Sequence, residues 1–100
     1  MRKFLATCNT WGTSVANPIC RWVDIDEENQ VDGHTWLGDF GMYLVLDEEV
    51  TQKEASELFF AILTQAEGSH DYRGDPITDK PTDSLTSDKT LRIWKEEFAR

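Results

Sequence analysis

Residues 42–66 read MYLVLDEEVTQKEASELFFAILTQA, and the change of period inside this stretch decides the fold. Met42–Leu46 is an unbroken apolar run of strand length without a charge, which suits a buried central strand. After Asp47, Glu48 and Glu49 the pattern switches. Ala55, Leu58, Phe59, Ile62, Leu63 and Ala66 recur at three- and four-residue steps, the signature of an amphipathic helix. Thr51 and Glu54 have capping-box spacing, in which hydroxyl and carboxylate each satisfy a backbone N–H that the first helical turn leaves unpaired. Gly68 is the expected C-terminal cap. A helix over residues 52–67 therefore follows the strand, with Leu58, Phe59, Ile62 and Leu63 turned toward the sheet.

Working toward the N-terminus, residues 3–9 read as a first strand and residues 9–14 as a loop. Pro18 fits the start or edge of a strand. Residues 19–26 form a second strand, with Ile19, Val23 and Ile25 on one face and Cys20, Trp22 and Asp24 on the other. Residues 27–33 are a polar reversal ending in Asp32-Gly33, a pair that supplies positive φ for a hairpin. Pairing resumes at 34–37, and residues 38–41, Gly-Asp-Phe-Gly, interrupt it as a bulge or second turn. Toward the C-terminus, residues 68–87 are rich in Gly, Pro, Asp, Ser and Thr and read as a polar loop, functional or mobile. Leu91, Trp94 and Phe98 then mark a helix over residues 88–99, capped by Ser87 or Asp88. The fold class is α+β: a small antiparallel sheet of three to four strands over residues 3–46, packed by two helices, in one domain spanning 1–100.

The charge is concentrated. Residues 23–54 hold ten Asp or Glu against one Lys, whereas residues 1–22 carry three bases and no acid. Residues 55–100 have nine acids and six bases, so the net −9 of the chain equals the −9 of its middle segment, the flanks giving +3 and −3. Such a charge disfavours nucleic acid or an anionic membrane as direct partner and favours a protein with a basic surface. With 39% hydrophobic residues, the acids are interleaved with core positions, a folded charged face and not a solvating tail.

Chemistry-bearing motifs are few. Asp24, Asp26 and Glu28 open like an EF-hand loop, but Asn29 stands where Gly makes the turn and Thr35 where Glu closes the shell. Cys8, Cys20, His34 and His70 are the only soft ligands and lack the short pair spacing of structural zinc sites. Cys8 and Cys20 form a disulfide only if they fall opposite on neighbouring strands; free thiols are the expectation. Arg73-Gly74-Asp75 reads as a chance match, and no phosphate-binding glycine loop or nucleophile–base signature is present. We expect no enzyme, no cofactor and no metal. The start MRKFLATC imitates a secretion signal, but its apolar run is too short, so a cytoplasmic location is expected.

The acids then become the candidate partner-binding site. Asp24, Asp26, Glu27, Glu28 and Asp32 cluster on one hairpin and have no evident local role, so reversing the first four to Lys is expected to leave the fold intact. Asp47, Glu48 and Glu49 precede a helix N-terminus, where they also complement its dipole. Four tryptophans are many for this length; most belong in the core, but Trp22 and Trp36 are near enough to the acids to anchor an interface. Carboxylates at fixed spacing imitate a phosphate track and enter a Lys/Arg-lined groove of a nucleic-acid-processing complex. In size, acidity and α+β character the chain is similar to phage-encoded inhibitors of host defence, the anti-restriction and anti-CRISPR proteins. That similarity is one of gross character, implies the host cytoplasm as the place of action, and transfers no site residues. The competing expectations are an accessory or structural interaction module whose acidity serves solubility alone, and a weak metal-binding protein or small enzyme.

Overall fold

The computed structural model describes residues 1–8, 15–65 and 85–98. Elements run β1 (Arg2–Cys8), β2 (Ile19–Asp24), β3 (Gln30–Val31), β4 (Thr35–Trp36), a 3₁₀ turn (Leu37–Asp39), β5 (Met42–Leu46), α1 (Gln52–Gln65) and α2 (Asp88–Glu97). This is the α+β arrangement the sequence leads one to expect, with both helices present. The loop at 9–14 with Trp11, the Gly68 cap, most of the polar loop, His70 and the Arg73-Gly74-Asp75 tripeptide lie outside the described residues.

The main sheet is antiparallel in the order β2-β1-β5, and β3 and β4 form a separate two-stranded ribbon. The central strand is therefore β1. Met42–Leu46, expected at the centre, is an edge strand among the described residues. The physical reason lies in which run is sealed on both faces. Phe4 through Cys8 are all buried, whereas Tyr43 on β5 is 44% exposed.

Strand alternation sorts the core into two clusters. Phe4, Ala6 and Cys8 join Leu44 and Leu46 on one face, beneath Ala55, Leu58, Phe59 and Ala61 of α1 and Ile93 and Trp94 of α2. Leu5 joins Val23 and Ile25 on the other, covered by Val31 and Leu37. Of the expected helix face, Leu58 and Phe59 are fully buried, whereas Ile62 and Leu63 are partly buried at the margin. The capping box forms as expected: the Glu54 N–H donates to Thr51 Oγ1 (3.1 Å) and the Thr51 N–H to Glu54 Oε1 (3.0 Å). Ser87 caps α2 by accepting the Thr90 N–H.

The single hairpin expected over residues 19–37 is two reversals. Asn29, at φ 59°, turns the chain back after β2. Asp32 and Gly33, at φ 53° and 75°, turn it again between β3 and β4, which is the backbone geometry that this dipeptide favours. The interruption at 38–41 begins as the 3₁₀ turn.

Candidate functional site

With β1 in the middle, both antiparallel neighbours end where β1 begins. Arg2 faces Asp24 across β1 and β2, and Phe4 faces Leu46 across β1 and β5. The acids of 24–32 and those of 47–49, far apart in sequence, thus converge on one end of the sheet. The basic residues of β1 and its neighbours arrive there too, and they decide which acids keep their charge unopposed.

Most are opposed. Asp47 pairs with Lys3. Glu48 accepts two 2.7 Å bonds from the Arg92 guanidinium, with Lys89 4.0 Å away. Asp32 accepts from Arg21 at 2.9 Å and from the Asp24 N–H at 3.2 Å, and these two bonds hold its carboxyl below the usual range. The Met1 amino group lies 3.9 Å from Asp24 and donates to the Ile25 carbonyl at 2.9 Å. Exposed pairs of this kind add little to stability, but together they cancel much of the charge.

Asp26 has a different task. Its Oδ1 accepts the N–H groups of Glu28 and Gln30, both at 2.9 Å, while its carbonyl accepts the Asn29 N–H at 3.0 Å. This is the side-chain-to-backbone closure that Asp favours in turns. The expectation that the hairpin acids lack local roles is therefore corrected for Asp26, which builds the reversal, and for Asp32, which closes the outer edge of β2.

Among the described residues, Asp26, Glu27 and Glu28 remain as a contiguous exposed run without an ion pair, and the Glu49 carboxylate is likewise unpaired. The Gln30 amide contacts Glu28 at 3.5 Å. Gln30 in turn lies opposite Trp36, 51% exposed, so the indole flanks the acidic turn. Trp22, 37% exposed, packs edge-on against Phe4 at 5.3 Å with the Arg2 guanidinium 5.7 Å over its ring. It is half used by the core and half capped by a cation. An open groove of about 590 Å³ runs below the turn between Met1, Lys3, Ile25, Asp26, Glu27 and Val45.

Nucleophile and metal chemistry find no assembled group here. Burial pushes the Cys8 thiol up to about 11 and raises Cys20 as well, so neither is a thiolate near neutrality. Cys20 lies opposite Ala6, leaving Cys8 two residues away on the same face. Such diagonal neighbours sit about 7–8 Å apart, beyond a disulfide's reach, and both thiols are free. His34 is exposed. Among the described residues, no three His, Cys, Asp or Glu side chains gather as a metal-binding group, and no helix is long and apolar enough to cross a membrane.

Sequence reasoning missed the counter-charges: Lys3, Arg21, Lys89 and Arg92. Three bases without acids in residues 1–22 were the available signal, but which acid each meets depends on strand register. No protein-family model matches the chain, and neither a curated protein nor a solved structure matches it.

Proposed function

We propose that the protein is an acidic protein-binding module that inserts its Asp26-Glu27-Glu28 turn into a basic, nucleic-acid-binding groove of a partner. One observation carries the reading: among the described residues, ion pairs elsewhere leave this run as three consecutive acids without a counter-charge, on a turn fixed by its own hydrogen bonds and beside an exposed indole. Fixed carboxylates are pre-organised for Lys and Arg side chains, and Trp36 supplies the desolvated anchor that long-range charge cannot. Acting by charge mimicry on a nucleic-acid-processing complex would make it an inhibitor, in the manner of the phage proteins it resembles in gross character, working in the host cytoplasm.

The test is capture from host lysate at low salt by wild type and by a Glu27→Lys, Glu28→Lys variant that keeps Asp26. The reading expects a nucleic-acid-processing complex that nucleic acid displaces, that rising NaCl releases, and that the folded variant fails to capture. Screening from a Debye length of about 10 Å at 0.1 M to about 3 Å at 1 M sets the range. Capture by the variant equal to wild type would sink it. The exposure of Trp36 favours a second reading, an accessory module docking through aromatic surface. That reading expects salt-resistant capture, lost in Trp36→Ala and kept in the charge variant.

A further inference from the structure

The open edge of β5 joins two copies of this chain into one continuous sheet, we infer, and the argument starts from where the backbone bonds point. Met1 and Ile25 exchange N–H to carbonyl bonds across β1 and β2, both at 2.9 Å, while the Asp24 N–H and carbonyl bond outward to Asp32. Odd residues of β1 therefore bond to β2, and even residues bond to β5. The partners of Phe4, Ala6 and Cys8 on β5 are Leu46, Leu44 and Met42. The N–H and C=O groups of Tyr43 and Val45 are left pointing away from β1, and no strand among the described residues pairs with them.

Edge strands usually carry a Lys, a Pro, a bulge or an inward charge that discourages pairing. Met42-Tyr43-Leu44-Val45-Leu46 carries none. A second copy is the occupant because the edge is self-complementary. In an antiparallel two-fold centred on Leu44, Tyr43 of each copy exchanges both backbone bonds with Val45 of the other. Aromatic and β-branched side chains then face each other on the ribbon side of the sheet. A slip of one step toward the N-terminus would set Asp39 against Asp47. A slip the other way would set the Asp47 carboxylate against Tyr43. The two-fold also sends the acidic ends, which follow β5 at Asp47, to opposite poles, which lessens the repulsion between two copies of net charge −9. The two-fold is isologous and uses the β5 edge of each copy once; at the outer edge of β2, Asp32 occupies the outward groups of Asp24.

The experiment is sedimentation velocity over a concentration series, with amide exchange read residue by residue. Wild type is expected to move toward twice the mass of the chain, with Tyr43 and Val45 amides exchanging at least tenfold more slowly in the dimer. Val45→Pro removes an outward N–H, at a position an edge strand tolerates, and exchanges a side chain at the margin of the second core cluster; it is expected to be monomeric with unchanged far-UV circular dichroism. Tyr43→Lys, which leaves the backbone intact, decides the matter if the proline variant unfolds. Wild type monomeric at every soluble concentration, or a dimer that survives these substitutions, overturns the inference. So do Tyr43 and Val45 amides protected in a monomer, because another part of the same chain would then cover the edge.

Discussion

Asp26 shows how an acidic residue in an acidic protein can be structural while its neighbours are not. One oxygen holds two backbone N–H groups, so Asp26→Ala is expected to lower stability by ~0.5–2 kcal/mol, the range for losing a capping side chain. Asp26→Asn keeps an acceptor and is expected to stay near wild type; urea unfolding of the pair checks this. Glu27 and Glu28 make no comparable bonds, and replacing both by Gln should move stability by no more than about 0.5 kcal/mol in the same assay. Glu54 is expected to contribute to the acid limb of the pH profile. Partial burial pushes its carboxyl up, but the Thr51 N–H, the Lys89 ammonium and the Thr51 and Ser87 contacts outweigh that and hold it below its ordinary 4.5. Asp32 is lowered as well, by Arg21 and the Asp24 N–H. A carboxyl depressed in the folded state stabilises above its unfolded pKa, and that stability is lost as pH falls through the folded value. The melting temperature should therefore begin to drop below about pH 4.5, and Glu54→Gln should flatten the drop.

At the scale of elements, α1 was legible because its signals are local: a capping box, then apolar residues at helical steps. The structure sharpens which positions matter. Leu58→Ala empties a fully buried site and is expected to destabilise by ~2–5 kcal/mol, whereas Ile62, at the margin, should cost clearly less; thermal melts of both variants separate the two. The second helix was legible from Leu91, Trp94 and Phe98, and it is tied down by Trp94 in the core and by Arg92 on Glu48. Strand order was not legible. Apolarity marks Met42–Leu46 as buried on average, but it does not say that Phe4 through Cys8 would be the run sealed on both faces. That depends on pairing with segments 19–24 and 42–46, a property of register and not of local pattern. The acidic site suffered the same blindness, since Lys3 meets Asp47 and Arg21 meets Asp32 only once the strands are aligned.

For the molecule as a whole, a total of −9 says less than its distribution. Ion pairs gather at the same end of the sheet as the acids and break an apparently continuous negative face into a short exposed turn and the separate Glu49 carboxylate. The central place of β1 has a further consequence, in time. The strand made first completes neither side of its pairing until residues 19–24 and then 42–46 have been synthesised, and Ile93 and Trp94 close the core later still. Contacts this distant in sequence delay the point at which loop closure is rewarded, which puts folding toward the slower end for a small α/β domain. On the ribosome, Phe4, Leu5 and Ala6 emerge before the strands that flank them. Most of the acids of residues 23–54 leave the tunnel only with the strands that bury this run, so it is exposed before most of the chain's negative charge arrives.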